Sequence, residues 1–363
     1  MTDSTRTYIV IGLMSGTSLD GLDLVCCSFT FNDGKWDFQV LASEELPYGE
    51  DWVSRLSQAY YQNKDEIIAL DYEFGEMLAE KTVSFIKRNR LNPLLISSHG
   101  HTIFHKPQKG ITLQIGDGQQ IANIAGVKTI NNFRLADVKK GGQGAPLVPI
   151  GDRLLFLEYD FCLNIGGISN ISFEVHGERI AFDISPANMV LNYLANKKGM
   201  KYDHEGKMAS EGIVNQQLLE QLNSLDYYHQ SYPKSLGREW VETEFIPIID
   251  QCELTIEDKL ATCIMHIAMQ IGIVINELPK GKMLITGGGA FNAALVNRIT
   301  EVIIHQIVVP TEEIIRMKEA IVFAFLGLLR YLGETNCLCS VTGASSDSST
   351  GDIYHPSLEK TSY

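Results

Sequence analysis

The sequence predicts an α/β protein of two related lobes, each with a mixed sheet flanked by helices, and with a cleft between the lobes. Three observations support this prediction. The length of 363 residues exceeds one ordinary hydrophobic core. Strand-like and helical periodicities alternate along the chain. Two similar antiparallel meanders begin at Tyr8 and Phe161, which indicates an internal repeat. We place the first lobe at residues 1–150, with residues 340–363 docking back on it, and the second lobe at 151–339.

The first lobe is predicted to open with a three-stranded meander. Asn32-Asp33-Gly34 is a strong hairpin signal between the second and third strands. Strands and helices then alternate, and a polar turn is expected through His105. The predicted strands are Tyr8–Met14, Leu22–Phe31, Trp36–Ala42, Leu94–Ser98 and Lys128–Asn131, and the predicted helices are Asp65–Arg90 and Gly118–Ala125.

The second lobe repeats this order, and its meander ends at Asp183. Lys318–Leu332 is predicted as an apolar helix that closes the lobe. The tail, Thr342–Pro356, is rich in Ser, Gly and Thr and is expected to be mobile unless it docks on the first lobe. The other predicted strands are Phe161–Ile165, Asn170–Val175, Arg179–Phe182 and Met283–Thr286, and the other predicted helices are Ser185–Lys197, Glu211–Leu222, Ile256–Leu278 and Phe291–Val302.

The composition is typical of a globular protein, with 45% hydrophobic and 20% charged residues. No apolar run approaches the roughly 20 residues that span a bilayer, and no secretory signal is evident, so we expect a cytoplasmic protein without a membrane partner. A net charge of −14 argues against nucleic-acid binding and favours a small ligand. The seven cysteines lack the spacing of a disulfide framework or a zinc site, so reduced thiols are expected.

Glycine-rich turns after apolar strands are the strongest chemical signal. The first, Gly12–Asp23, places glycines, hydroxyls and carboxylates between two strands, although a hairpin with a polar loop has a similar composition. The second is Gly166–Asn170. The third, Thr286–Asn292, leads into a predicted helix, whose N-terminus favours anions. Together they predict two phosphate clamps and a nucleotide platform around one cleft. The dinucleotide fingerprint and the P-loop do not fit.

Acidic residues at turns and strand ends are candidates for a metal ligand and a base. Asp20, Asp23 and Asp183 occupy such positions. Asp183 could equally cap the following helix, with Pro186 in its first turn. The two roles are not exclusive.

Polar groups near the flexible segment Gly141–Pro146 are candidates for substrate binding. Arg134 could bind a carboxylate through two nitrogens. His99, His101 and His105 suggest zinc, but no carboxylate set accompanies them, so hydrogen bonding to a polar substrate is favoured. Glu319, at the start of a predicted helix, is either a first-turn acid or a substrate ligand.

Six segments together resemble the anhydro-N-acetylmuramic acid kinase family, in order and over nearly the whole chain. These segments are Gly12–Gly21, Ser97–Gly100, Leu113–Gly118, Gly141–Pro149, Leu163–Asn170 and Pro233–Glu239. The resemblance implies the fold of sugar kinases, acetate kinase, actin and heat-shock chaperone ATPases, with duplicated ribonuclease-H-like lobes. It also implies a cytoplasmic enzyme of cell-wall recycling that uses ATP and Mg²⁺. Oligomeric state stays open, a homodimer included.

The resemblance implies a reaction and a role for each matching residue. The family opens the 1,6-anhydro bridge of its sugar with water and phosphorylates the freed O6, and Asp183 would be the general base on that water. Asp20, from its position in the first turn, is expected to be a metal ligand or a substrate-binding acid. The nucleotide would contact Gly16, Thr17, Ser18, Leu19, Asp20, Gly21, Leu22, Asp23, Gly166, Gly167, Gly287, Gly288 and Gly289. The sugar would contact Ser15, His99, Arg134, Gly144, Ala145 and Glu319.

The chain departs from the usual family pattern at three places. His101 stands where Gln is usual, Asn132 where Asp is usual, and Ile184-Ser185-Pro186-Ala187 replaces the commoner Thr-Gly-Pro-Gly. Two alternatives remain: a kinase for a different sugar, and an actin-like or chaperone-like ATPase that moves its lobes. The ATPase alternative does not explain Arg134 or the Pro233–Glu239 segment.

Overall fold

The computed structural model describes residues 6–16 and 19–357, and the chain divides into two compact units. Unit 1 comprises Met1–Phe156 and Met317–Tyr363, and unit 2 comprises Leu157–Arg316. The prediction of an α/β fold with two mixed sheets is confirmed. The segment from Met317 to Cys339, which the sequence led us to place in the second lobe, is grouped with unit 1.

Thirteen strands are found among the described residues. They are β1 Arg6–Ser15, β2 Gly21–Asn32, β3 Lys35–Pro47, β4 Leu95–Ser98, β5 His101–Lys106, β6 Ile111–Ile115, β7 Thr129–Asn131, β8 Phe161–Ile165, β9 Ile168–Val175, β10 Glu178–Pro186, β11 Lys282–Thr286, β12 Gln306–Val308 and β13 Asp352–Tyr354.

Fourteen α-helices are found in the same part of the chain. They are α1 Glu50–Gln58, α2 Lys64–Asn89, α3 Gly118–Ala125, α4 Leu135–Lys139, α5 Pro149–Leu155, α6 Asn188–Asn196, α7 Lys207–Glu211, α8 Gln216–Asn223, α9 Arg238–Trp240, α10 Ile246–Gln251, α11 Ile256–Ile275, α12 Ala293–Val302, α13 Glu312–Leu332 and α14 Cys339–Thr342.

The two units repeat one sheet topology. In unit 1 the order is β13-β7-β4-β1-β2-β3, and in unit 2 it is β10-β9-β8-β11-β12. Each sheet has an antiparallel meander whose first strand is extended by two parallel strands. Unit 1 adds β13, which pairs antiparallel with β7. The duplication inferred from the two meanders is therefore present both in the order of the strands and in their parallel or antiparallel directions.

The core of unit 1 packs the sheet against helices α2 and α13. Ile11 and Leu13 of β1 and Phe74 and Leu78 of α2 are fully buried. On α13, nearly every side chain from Ala320 to Leu329 is buried, as expected for a helix that is apolar all round. A Cβ at Gly12 would lie 2.1 Å from the carbonyl oxygen of Ala320, so only glycine permits this approach of β1 to α13.

The core of unit 2 is built around α11. Its side chains pack with Leu163 and Ile165 of β8 and Ile285 of β11 in one apolar cluster. Among the described residues, α11 alone has the length and composition of a membrane span, and 72% of that window is buried in the protein. The helix is thus accounted for as a core element.

Several element boundaries differ from the sequence prediction. The polar turn predicted through His105 is wrong, because β5 and β6 form a separate two-stranded hairpin there. The helix predicted from Ser185 begins at Asn188, because β10 continues through Pro186. The helix predicted from Lys318 begins six residues earlier, at Glu312. The helix predicted over Glu211–Leu222 begins five residues later, at Gln216 of α8, because α7 ends at Glu211.

The tail docks on unit 1 by main-chain and side-chain hydrogen bonds. Besides the pairing of β13, Arg330 Nε donates to the Gly351 carbonyl at 2.7 Å, and Asn336 exchanges hydrogen bonds with Thr350. The alternative in which the tail lies against the first lobe is the one observed.

Candidate active site

The first glycine turn joins β1 to β2 at residues 16–20. Thr17 and Ser18, which the resemblance assigns to the nucleotide, lie outside the described residues. Leu19 has a positive φ of 60°, and Asp20 is exposed. A Cβ at Gly21 would lie 2.4 Å from the Leu46 carbonyl oxygen, so this glycine serves the packing of β2 on β3. Leu22, the next assigned residue, is buried in the core.

Ser15 ends β1 with a hydroxyl that has two partners inside the protein. The Tyr48 hydroxyl donates to Ser15 Oγ at 2.7 Å, and His101 Nδ1 lies 3.0 Å from the same oxygen. Burial lowers the pKa of His101 to about 4, so its ring is neutral near pH 7. Burial, aided by the charges of Asp23 and Asp20, raises the pKa of Tyr48. Tyr48 therefore contacts Ser15 directly and is affected by the charges of Asp20 and Asp23.

Arg134 is held in place by His99 and by the loop that carries Gly144. Its Nε and Nη2 lie 3.2 and 2.8 Å from His99 Nε2, and its Nη1 donates to the Gly144 carbonyl at 2.7 Å. His99 Nδ1 lies 2.8 Å from the Gly100 carbonyl, and its ring packs edge-on against Phe323. Burial lowers the pKa of Arg134 to about 10, which leaves it charged at neutral pH. A guanidinium fixed in this way is ready to bind an anion.

The Gly144 loop is tied to the tail by Asp137, which is fully buried. Asp137 Oδ2 accepts from the Gly144 N–H at 2.8 Å, and Oδ1 accepts from Thr342 Oγ1 at 2.8 Å and from Cys337 Sγ at 3.1 Å. Gly144 itself has a φ of +67°, and a Cβ there would lie 2.8 Å from Val138. Ala145, assigned to the sugar, follows this turn and is partly exposed.

Glu319 lies in the middle of α13, so the role of a first-turn acid is wrong. Its side chain keeps access to solvent. The surrounding protein raises the pKa of the Glu319 carboxyl, and the charges of Arg134 and Lys318 lower it to a smaller extent. Because water reaches the carboxylate, the charges of Arg134 and Lys318 are partly screened from it. The neighbouring Lys318 is committed to a buried ion pair with Asp152 at 2.7 Å.

In unit 2, parallel pairing brings two glycine turns side by side. Asn164 of β8 is opposite Thr286 of β11, so the turns that follow these strands leave the same edge of the sheet. The carbonyl oxygen of Gly166 accepts from the Asn188 N–H at 3.1 Å. The carbonyl of Gly167 accepts from Ala187 and Met189. Both glycines remain accessible to solvent.

The glycines of the third turn have two different roles. A Cβ at Gly289 would lie 2.2 Å from Cγ2 of Ile165, and one at Gly287, where φ is +81°, would lie 2.8 Å from the Ile165 backbone. These two glycines allow β11 to approach β8. Gly288 is exposed, and a Cβ there would meet its nearest neighbour, Asn188 Nδ2, at an ordinary 3.5 Å. Gly288 is therefore the position of this turn whose backbone faces open space.

Asp183 lies near the end of β10, where the pairing with β9 shifts register between Asp183 and Ser185. Its Oδ2 accepts from the Leu236 N–H at 2.9 Å. Among the described residues, Oδ1 has no hydrogen-bond partner. Burial raises the pKa of this carboxyl, and the Leu236 hydrogen bond lowers it to a smaller extent. The helix-cap alternative is wrong, because α6 begins at Asn188 after Ala187 and has no side-chain cap.

Metal binding is limited by the side chains available. The described residues contain no group of three or more His, Cys, Asp or Glu that could hold a metal ion. Both ring nitrogens of His99 are engaged, as is the thiol of Cys337. Mg²⁺ needs only one or two carboxylates together with phosphate and water. Asp20, which is exposed, and Asp23, which is half-buried, are the carboxylates in the described part of the first glycine turn.

Three residues of these sites were missed from the sequence: Tyr48, Asp137 and Tyr227. Tyr48 lies after β3 and has no local motif, and Asp137 is part of α4 without any periodic signal. The Tyr227 hydroxyl donates to the Asp183 carbonyl at 2.6 Å. Each acts across a long sequence separation, so only the fold brings it to its partner.

Comparison with known proteins gives a consistent family match. The model of the family described as anhydro-N-acetylmuramic acid kinase matches residues 8–356. Proteins of that name from Vibrio cholerae and Shewanella denitrificans are 33% and 34% identical. These two matches cover 96% and 95% of this chain and 98% and 97% of the relatives. The one from Caldanaerobacter subterraneus subsp. tengcongensis is 32% identical over 93% of this chain and 94% of its own length.

Solved structures give weaker likenesses. The activator of the 2-hydroxyisocaproyl-CoA dehydratase from Clostridium difficile, with bound ADPNP, has a TM-score of 0.41 at 12% identity, covering 87% of this chain and 92% of its own. A ROK family glucokinase from Streptomyces griseus, in complex with glucose and AMPPNP, has a TM-score of 0.38 at 8% identity, with coverages of 89% and 99%. Family membership therefore depends on the sequence matches.

Proposed function

We propose the reaction of this chain from one premise: the chain belongs to the anhydro-N-acetylmuramic acid kinase family. Membership makes it a phosphotransferase that acts on this sugar. The proposal adds the chemistry. Water opens the 1,6-anhydro bridge, and the freed O6 takes the γ-phosphoryl group of ATP, which gives N-acetylmuramic acid 6-phosphate and ADP. We further propose that the enzyme works in the cytoplasm, in the recycling of cell-wall sugars.

The bond changes balance without any further reactant. Asp183 takes one proton from the water, and the remaining hydroxide forms the new bond to C1. The bond between C1 and the bridging oxygen breaks, and its electron pair stays on that oxygen as O6. O6 then attacks the γ-phosphorus, and the bond from this phosphorus to the β-phosphate oxygen breaks. The proton on Asp183 is finally released to solvent.

The observation that carries the proposal is the state of the Asp183 carboxylate. One oxygen is held by the Leu236 N–H, and the other has no partner among the described residues. The raised pKa brings this carboxylate closer to neutral pH, where a general base is most effective. A side chain that served only as a helix cap or an ion-pair partner would have its pKa lowered instead.

The remaining residues bind and orient the reactants. Arg134, positioned by His99 and Gly144, is suited to the lactyl carboxylate of the sugar. The main chain at Gly167 and Gly288, which is exposed, and at Gly166, which is half-buried, is suited to phosphate oxygens. Asp20 and Asp23 would hold Mg²⁺, which when bound neutralises phosphate charge.

A coupled ADP-release assay over a panel of sugars tests the proposal. The panel contains 1,6-anhydro-N-acetylmuramic acid, its analogue without the lactyl group, N-acetylmuramic acid and glucose. We expect the first to be the best substrate and its product to carry a 6-phosphate and a free anomeric hydroxyl by NMR. Faster phosphorylation of another sugar would indicate a different kinase, and ATP turnover that ignores every sugar would indicate a motor-type ATPase.

A further inference from the structure

The Asp183 backbone lies in the edge strand of the unit 2 sheet. β10 is the outermost strand of the order β10-β9-β8-β11-β12, so no strand of the described part of the chain pairs with its other side. Main-chain groups on such an edge need other partners. At Asp183 these partners come from a segment distant in sequence, Tyr227–Leu236, which we call the strap.

The strap contacts Asp183 at three of its four polar groups. The Tyr227 hydroxyl donates to the Asp183 carbonyl at 2.6 Å, and the Asp183 N–H donates to the Lys234 carbonyl at 3.4 Å. The Leu236 N–H donates to Oδ2 at 2.9 Å. Only Oδ1 is left without a partner among the described residues. The strap thus determines both where the carboxylate lies and which of its oxygens is available.

Lys234 and Tyr227, which lie near the two ends of the strap, contact each other. Lys234 Nζ donates to the Tyr227 carbonyl at 3.2 Å and lies 4.6 Å from the centre of the Tyr227 ring. The same ring packs against Trp240 of α9. The two ends of the strap therefore meet beside Asp183 and are held together by these contacts.

The strap is anchored in the core of unit 2 through Tyr228. Its hydroxyl lies 2.8 Å from His266 Nε2, and His266 Nδ1 lies 2.7 Å from Asn223 Oδ1. Because Asn223 Oδ1 also accepts from Gln270 Nε2, His266 must carry its proton on Nδ1 and accept from Tyr228. His266 is fully buried on α11. This chain of hydrogen bonds links the strap to α11, the helix at the centre of the unit 2 core.

We propose that the strap is the positioning element of Asp183. The Leu236 N–H holds Oδ2, so that Oδ1 receives the proton from water, and the Tyr228–His266 bond keeps the strap in place. This inference rests on the proposed role of Asp183 and adds the oxygen that reacts and the groups that orient it.

The first experiment compares Leu236→Pro, which removes the N–H, with Leu236→Ala, which keeps it and shortens the side chain. The hydrogen bond favours the ionised carboxylate, so its loss raises the pKa of Asp183. We expect the acidic limb of the kcat/KM profile to move to higher pH in Leu236→Pro only. In Leu236→Ala the limb stays at the wild-type pH, whatever the change in rate. A limb at the same pH in both variants would overturn the assignment of Oδ2 to Leu236.

Tyr227→Phe and Tyr228→Phe keep the aromatic rings and test the strap if Leu236→Pro fails to fold. We expect kcat to fall about tenfold in each, as for one lost hydrogen bond, with the KM for ATP unchanged. Wild-type kcat in both would refute the positioning role. The proposed function fails separately, if the wild-type protein does not phosphorylate the anhydro sugar.

Discussion

The guanidinium of Arg134 directs two of its nitrogens, Nε and Nη2, at the single Nε2 atom of His99. Since a guanidinium only donates, Nε2 must accept, and the ring proton is on Nδ1, where it is donated to the Gly100 carbonyl. Burial and the Arg134 charge lower the pKa of His99 to about 3, which keeps this ring neutral. The Nδ1-protonated tautomer of His99 thus orients Arg134, the residue proposed to bind the carboxylate of the sugar.

Arg134→Lys tests recognition of the lactyl carboxylate. A lysine keeps the charge but cannot donate to His99 and Gly144 while also binding two carboxylate oxygens. We expect kcat/KM for the lactyl-bearing anhydro sugar to fall roughly 10- to 100-fold, which corresponds to one lost charge-assisted interaction. With the analogue that lacks the lactyl group, the same substitution should change kcat/KM far less. An equal loss on both substrates would place Arg134 elsewhere in the reaction.

Asp183→Asn tests the general base. The amide occupies the same space and cannot accept the proton from water. We expect kcat to fall about 10²- to 10⁴-fold, the range of general-base catalysis. Nucleotide binding, measured by calorimetry, should be retained. Unchanged turnover would exclude Asp183 as the base, whereas loss of nucleotide binding would indicate damage to the fold.

Gly288→Ala and Gly289→Ala form a matched pair in the third glycine turn. The added methyl at position 289 collides with Ile165, so we expect a lower melting temperature. At position 288 the methyl has room, so stability should be kept, and the KM for ATP should rise because a phosphate can no longer approach the backbone. A stable Gly289→Ala protein, or an unaltered KM for ATP in Gly288→Ala, would contradict this division of roles.

Asp137→Asn tests the link between the tail and the sugar-binding loop. The amide introduced by this substitution has only one oxygen. If its NH₂ group takes the place of Oδ2, it faces the Gly144 N–H, and if it takes the place of Oδ1, the hydrogen bonds from Thr342 and Cys337 are lost. We expect unit 1 to lose about 2–3 kcal/mol, as for hydrogen bonds to a charged group. Hydrogen exchange should become faster in residues 337–354. Exposed Glu334→Gln, a carboxylate just before this segment, is the control, and equal protection in both variants would refute the link.

Acid should destabilise the fold through buried neutral histidines. The pKa values of His99, His101 and His266 are lowered by burial to about 3, 4 and 3, below the value of about 6.5 in an unfolded chain. At pH values between the folded and the unfolded pKa, the unfolded state binds more protons than the folded state. The free energy of unfolding therefore falls as the pH is lowered below about 6.5, by up to about 1.4 kcal/mol per pH unit for each ring.

Urea unfolding of the wild type and of His266→Gln at pH 7 and pH 5 measures this effect. Asp183 acts in the opposite direction because its pKa is raised, so the comparison of two proteins isolates the histidine. The decrease from pH 7 to pH 5 should be smaller in His266→Gln. An identical decrease in both proteins would show that folding does not lower the pKa of His266.

The main features of the fold were predictable because each depends on local pattern. Alternating apolar strands, the hairpin at Asn32-Asp33-Gly34 and the long helical period after Asp65 all correspond to elements of the structure. Boundaries were less predictable where a strand and a helix compete for the same residues. At Ser185-Pro186 the ladder with Ser169 and Ile168 extends β10, which delays the start of α6.

The site was predictable only where residues recur in recognisable turns. Asp183, Arg134 and the glycines follow strands, so their positions could be inferred. Gly289 could not be distinguished from Gly288, because the difference is a contact with Ile165 over 120 residues away. The same holds for Tyr227 and Asp137, whose partners lie across the fold and leave no periodic trace in the sequence.

The division of the chain has a consequence for biosynthesis. Unit 2 is continuous in sequence, whereas unit 1 is assembled from segments on both sides of it and receives its edge strand β13 from residues 352–354. During translation, unit 2 has all its strands once the ribosome has released residue 316, but the sheet of unit 1 is still incomplete. The N-terminal part of unit 1 must therefore wait, with one sheet edge open, until residues 352–354 have been made, and a ribosome that stalls before them would leave that edge exposed to chaperones and proteases.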